Sequence, residues 1–242
     1  VSYKSWKEKK DLYDSIEEGK LTLVSPSIWL KERAEESSLT KGFKIVHIPN
    51  GIDTDIYQPH NTDTLRNIFQ IPQKSLVVLI IQKGENLLYE ALLKVKERQD
   101  VVVLTMGQSS VRFQKLVKTI NLGFISNEQL KSMMYSLADI FILPSQIDNY
   151  PNTLLESFAC GTPAIASNVG GIPEIVEDGK SGFLFNINKT TELTNKLKLV
   201  INLNKRNELQ EMGRFARNWA VNNVSLKIQT DRYLKLYKDI LR

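Results

Sequence analysis

Cysteine is almost missing from this 242-residue chain: Cys160 stands alone, which excludes an internal disulfide and any cysteine-rich zinc site. It closes an apolar helix face and reads as buried packing. Histidine is nearly as scarce, with His47 and His60 only. His47 falls in a β-type run and reads as a core residue, while His60 falls in a polar stretch and reads as solvated. Neither supports a histidine triad or a metal centre. Long apolar runs are lacking too. The longest, Leu76 to Ile81, has six residues, far short of the ~20 that span a bilayer. The Lys-rich start carries no secretory signal, so a soluble, cytoplasmic protein is expected. Charge of one sign is also absent: 32 basic against 27 acidic side chains leave +5. That permits loose attraction to phosphates or to an anionic membrane face, with Lys4 to Lys10 as the contact, but no aromatic and basic cluster points to nucleic acid. No Gly-x-Gly-x-x-Gly fingerprint, Walker loop or Gly-x-Ser-x-Gly elbow occurs.

What is present is an ordinary globular balance, 42% apolar and 24% charged, which excludes a disordered chain. The chain begins at Val1, on a helix-like stretch, and reads as a fragment. Residues 5–18 and 26–36 carry helical patterns. Leu21 to Val24 and Lys44 to Ile48 are short β-type runs, and Pro49-Asn50-Gly51 forms a turn. The polar stretch His60 to Thr64 is the candidate domain boundary. Beyond it the pattern becomes regular, with strands over 76–81, 101–105, 121–124, 139–143, 164–167 and 183–185. Between them lie helices over 85–98, 110–119, 127–137, 152–160 and 172–177. Strands that are continuously apolar and alternate with helices predict a parallel sheet covered on both faces, a doubly wound α/β fold. From Thr190 onward the chain is helical and basic, with Trp219, Leu226, Tyr233, Leu234 and Tyr237 as buried-side candidates.

Ligands of such sheets bind outside the carboxyl ends of the strands. That rule selects the loops at Gln82 to Gly84, Gly107 to Ser109, Ile125-Ser126, Ser145 to Asn152 and Asn168 to Pro173. Lys83 sits at a helix start beside a glycine, where cation and helix dipole can both face a phosphate. Gly170-Gly171 forms a flexible turn whose backbone N–H groups are expected to be free. Asp148 and Glu156, eight residues apart, are acceptor-only carboxylates that suit sugar hydroxyls rather than phosphates. Together these features describe a nucleotide-sugar site, although each alone reads equally as a surface charge, a helix face or a tight turn. Asp53-Thr54-Asp55 matches the Asp-x-Asp metal motif of some sugar transferases, but a three-residue match in a turn carries little weight. No metal and no cofactor are expected.

Three stretches resemble a known family. The central one is Pro144-Ser145 followed by Asp148-Asn-Tyr-Pro-Asn-Thr-Leu-Leu-Glu156-Ser-Phe-Ala-Cys-Gly-Thr-Pro163 and Gly170-Gly-Ile-Pro-Glu174. The others are Tyr135-Ser-Leu-Ala-Asp-Ile-Phe-Ile-Leu-Pro144 and Ile48-Pro-Asn-Gly-Ile-Asp53. They resemble the retaining glycosyltransferases of family four, whose GT-B fold pairs two Rossmann-like domains around a cleft. The Asp-Asn-Tyr-Pro-Asn-Thr form is most similar to members that build capsule, exopolysaccharide or lipopolysaccharide.

The resemblance implies a donor domain over 60–222, the end of an acceptor domain over 1–59, and a helix over 223–242 crossing back toward the latter. It implies catalytic roles for Asp148, on the donor sugar, and Lys83, on the diphosphate. Glu156 would bind the ribose, Asn149, Tyr150, Asn152 and Thr153 the sugar and phosphates, and Phe124 and Ile125 the base, with Gly107 also on the donor side. The implied partners are a UDP- or GDP-sugar and a saccharide or lipid-linked acceptor, with no metal and no nucleic acid. Three departures stand out: Asp148 replaces the usual Glu, Pro151 replaces a common glycine and removes one backbone donor, and no arginine-bearing loop separates Ile81 from Lys83. Residues missing before Gln82 are the expected reason for the last. The alternatives are a non-catalytic nucleotide- or carbohydrate-binding module and a nucleotide-sugar epimerase.

Overall fold

The computed structural model describes residues 3–17, 19–81, 84–96, 98–107, 113–205 and 208–241. After α1 (Tyr3–Asp14), the chain forms a small β–α–β unit from β1 (Thr22–Ser25), α2 (Ile28–Glu36) and β2 (Lys44–His47), whose two strands pair in parallel. Ser27 starts α2 by accepting the Leu30 N–H on its hydroxyl at 3.0 Å, a usual way to satisfy a helix's first donors.

A linker follows. Ile52 bridges to Ser225, exchanging backbone bonds with Val224 and Leu226 at 2.8 and 3.0 Å. Asp53 Oδ1 accepts the N–H groups of Asp55 and Ile56 at 3.0 and 3.1 Å. The Asp-x-Asp match is thus a side chain closing its own turn. His60, expected in solvent, is half-buried instead, with its Nε2 2.9 Å from the Ser132 hydroxyl.

The main body contains α3 (Asp63–Ile68), β3 (Leu76–Ile81), α4 (Glu85–Leu93), β4 (Val101–Met106), β5 (Lys118–Asn121), α5 (Glu128–Leu137), β6 (Ile140–Leu143), α6 (Asn152–Ala159), β7 (Ala164–Ser167) and β8 (Gly182–Phe185). These six strands form one parallel sheet in the order β5-β4-β3-β6-β7-β8. Counted from the first strand of the sheet that is 3-2-1-4-5-6, the Rossmann order.

Successive strand residues face opposite ways, so β3 feeds two cores. Val77 and Leu79 join Leu104, Phe141 and the buried faces of α5 and α6. Leu76, Val78 and Ile80 join Leu88 and Leu92 of α4 on the other face. Truncating one of these fully buried side chains to alanine costs about 2–5 kcal/mol. Asp139 fixes where β6 begins: its carboxylate accepts the Val77 N–H at 2.7 Å and the Arg66 guanidinium of α3 at 3.0 and 3.1 Å. Burial pushes this carboxyl up, against the pull of Arg66 and the Val77 N–H.

The helix expected over 110–119 does not form. Phe113–Lys115 make a single 3-10 turn and Lys118–Asn121 the edge strand, while residues 110–112 lie outside the described residues. The Val-Lys-Thr-Ile run has more β-branched residues than a helix favours. The strand expected over 121–124 is this one, placed about three residues late. The polar boundary near His60 gave no hint of α3.

Three helices complete the chain: α7 (Thr190–Lys205), α8 (Leu209–Val224) and α9 (Leu226–Ile240). Trp219 is partly buried, edge-on to Phe158 at 6.0 Å. Leu226, Leu234 and Tyr237, expected on the buried side, are exposed, and Leu236 is the buried residue of α9.

Candidate functional site

Strand order reverses between β3 and β6, and a cavity of about 1250 Å³ opens at their carboxyl ends. Open α/β sheets bind ligands at such a reversal. Its wall includes Ile81 at the end of β3, Gly84 after it, Pro144, Ser145 and Asp148 after β6, and Thr153 on α6. Gly84 has φ +81°, and a β-carbon there would stand 2.0 Å from Pro144 Cγ. Only glycine lets the β3 and β6 loops meet this closely. Lys83, expected beside it, lies outside the described residues, as do Gln82, Gln108 and Ser109.

The loop carrying Asp148 is held from beneath by the glycine pair. Gly170 (φ +58°) would drive a β-carbon to 1.8 Å from the Asp148 carbonyl oxygen, and Gly171 to 1.9 Å from that of Asn149. The Gly171 N–H, expected to be free for a ligand, is donated to the Asp148 carbonyl at 3.1 Å. The pair is therefore a packing surface for the acidic loop.

Other side chains of that loop turn to the N-terminal unit. Ser27 donates to Asn149 Oδ1 at 2.5 Å. The Asn50 amide donates to Asn152 Oδ1 at 3.0 Å and to the Tyr150 carbonyl at 3.3 Å. Tyr150 is buried, and burial together with the Glu174 charge pushes its phenol above the usual range. Of the residues expected to meet the donor, Asp148 and Thr153 line the cavity. Asp148 lies 3.5 Å from the Ser145 hydroxyl.

Glu156, one turn beyond Thr153 on α6, faces α5. Its Oε2 accepts the Tyr135 phenol at 2.7 Å, and its Oε1 is 3.9 Å from Lys131 Nζ. The side chain is only 13% exposed. Burial pushes its carboxyl up; the phenol and the Lys131 charge pull the other way, and Glu128 adds to the rise. Tyr57 of the linker stands beside this group, and burial together with the Glu156 charge pushes its phenol above the usual range.

At the far end of the sheet Gly107 donates to the Gly123 carbonyl at 2.7 Å, joining the ends of β4 and β5. Phe124 follows, 87% exposed, with Ile125 packed against the core. A flat, exposed aromatic surface suits a planar ring.

Residues 62–219 match the sequence profile of the family described as glycosyl transferases group 1. The chain belongs to this family. It is 26% identical over 234 residues to the N-acetyl-alpha-D-glucosaminyl L-malate synthase of Bacillus anthracis, covering 92% of this chain and 60% of that protein. Among solved structures, a glycosyltransferase from Rickettsia africae superposes with a TM-score of 0.82 at 24% identity, over 97% of this chain and 67% of that one. Anabaena HepE, solved in complex with UDP, gives 0.77 at 20% identity over 98% and 68%, and it has also been solved with UDP-glucose. At such identities the structures establish the fold, the Rossmann-like half of a GT-B glycosyltransferase. The expected fold class holds. Among the described residues, no helix of this family member is long and apolar enough to cross a membrane.

Four positions with structural weight went unassigned in the sequence. Glu174 accepts the N–H groups of Ile28 and Trp29 at 2.8 Å each, capping α2 from far along the sequence. Arg217 of α8 donates to the carbonyls of Tyr57, Ala159 and Thr54 at 2.7, 2.6 and 3.1 Å, tying the linker to α6. Tyr135 and Lys131 reach Glu156 across α5. Tyr135 and Glu174 stand inside the recognised stretches, but a motif shows no partners. Cys160, buried with its thiol pushed up to about 12 by burial, packs as expected.

Proposed function

We propose that the chain carries the donor site of a retaining glycosyltransferase, which moves a sugar from a UDP- or GDP-sugar to a hydroxyl of a saccharide or lipid-linked acceptor. The observation that carries this reading is the cavity at the strand-order reversal, walled by Asp148, in a glycosyl transferases group 1 chain. The UDP and UDP-glucose complexes of Anabaena HepE support the donor class.

In this reading Asp148 accepts hydroxyls of the donor sugar and Glu156 those of the ribose, with Phe124 and Ile125 against the base. Lys83 meets the diphosphate, whose developing negative charge needs a fixed positive partner as it leaves. No metal ion is required, so EDTA leaves donor binding unchanged. Residues 60–222 form the donor domain, residues 1–59 end an acceptor domain, and residues 223–242 return to it. The product belongs to cell-surface polysaccharide, made at the cytoplasmic side of the membrane. Because the chain spans 60% of the Bacillus anthracis relative, it is expected to bind donor without turning over an acceptor.

Thermal shifts against UDP, GDP, ADP and their sugars test this directly, with Glu156→Ala as control. A ligand at a hundred times its Kd adds about 2.7 kcal/mol, or ~5–10 °C at this size. A shift with one base, lost in the variant, supports the donor site. A folded sample that shifts with none of them overturns it.

A further inference from the structure

The glutamate given to the ribose is held in one orientation by a residue that never meets the solvent. We propose that Tyr135 is a positioning residue for Glu156: its phenol takes Oε2 and fixes the carboxylate plane, so that the remaining acceptor sites present themselves to the two ribose hydroxyls of a nucleoside diphosphate. The inference rests on the ribose role of Glu156.

Tyr135 cannot easily turn away. It is fully buried, edge-on to Phe141 at 5.8 Å and to Tyr57 at 6.4 Å. Its backbone carbonyl accepts the Thr162 hydroxyl at 2.7 Å. Burial holds the phenol far above its ordinary pKa, so it remains a donor at every working pH. A glutamate has three side-chain torsions, and an acceptor for a vicinal diol must have its plane set before the ligand arrives. The phenol supplies that constraint without adding a charge. Lys131, 3.9 Å from Oε1 and 5.9 Å from the Tyr57 ring centre, favours the ionised carboxylate from the more exposed side. Glu128 opposes it.

Calorimetric titration of UDP or GDP, whichever the thermal panel selects, and of its 2′,3′-dideoxy analogue tests the inference. The chains are wild type, Tyr135→Phe, Glu156→Gln and the double variant. Positioning predicts that wild type prefers the ribose form and that Tyr135→Phe weakens that form by about ten-fold while leaving the dideoxy form unchanged. It also predicts that Tyr135→Phe adds nothing once Glu156→Gln is present. Equal weakening of both forms means that the phenol serves the core alone, and overturns the proposal. So does an unchanged preference in Tyr135→Phe. A wild type that binds but does not distinguish the two forms overturns the ribose role of Glu156 itself.

Discussion

Glu174 stands 146 residues beyond Ile28, yet its carboxylate accepts that residue's backbone N–H at 2.8 Å and the next one equally closely. A carboxylate at the first turn of α2 meets both free donors and the positive end of the helix dipole. The N-terminal unit and the main body are joined here, as they also are through Ser27 and Asn50. Glu174→Ala is expected to lower stability by about 1–3 kcal/mol and to speed proteolysis between residues 15 and 40. A melting curve and a timed digest read the two effects, and unchanged values of both would show that the cap contributes nothing.

The glycine pair makes a sharper demand. Gly170→Ala sets a β-carbon on the Asp148 carbonyl in a left-handed backbone, and relief requires the acidic loop to move. A loss of about 2–4 kcal/mol is expected, together with loss of nucleotide-sugar binding in whatever fraction stays folded. A folded variant with wild-type affinity would separate the loop from the site.

Phe124 offers the opposite case, since it is almost wholly exposed. Phe124→Ala should change stability by less than about 0.5 kcal/mol but cost ~1–3 kcal/mol of nucleotide affinity, the worth of a base on an aromatic ring. Intact affinity in calorimetry would move the base elsewhere.

Glu156 links binding to pH. Its folded-state carboxyl is raised, chiefly by burial, so the folded protein holds that proton more tightly than the unfolded chain. Its contribution to stability is then favourable below the ordinary carboxyl range and falls as pH rises through the raised value. Glu156→Gln removes this fall. Relative to wild type, the variant's Tm should improve as pH rises through and above the ordinary carboxyl range, while ribose-dependent binding is lost. A difference independent of pH would show that the acid is not strained by its burial.

Sheet and order of elements were legible because β3, β4 and β6 are continuous apolar runs, which a strand buried on both faces needs. The edge strand Lys118–Asn121 was not, since half its side chains meet solvent and its run is four residues long. Asp148 was legible as a cavity residue from its place after β6, whereas spacing alone did not show that Glu156 turns to Tyr135 and Lys131 on α5. Tyr135 was not found, because a buried hydroxyl inside an apolar helix looks like packing until its partner is seen. Glu174 was missed for a related reason: the donors it satisfies lie at the other end of the chain.

Gly170 and Gly171 also set the rules by which this cavity can be remodelled. Their α-carbons lie against the carbonyls of residues 148 and 149, so neither loop can gain bulk unless both change together. Gln146 and Ile147 also line the cavity, on the exposed crest of the same loop, and Ile147 is 69% exposed. Substitutions there touch neither the glycine pair nor the bonds from Ser27 and Asn50. If the cavity takes the donor sugar as proposed, new preferences are open to this scaffold one residue at a time at that crest, and closed to single steps everywhere the two backbones touch.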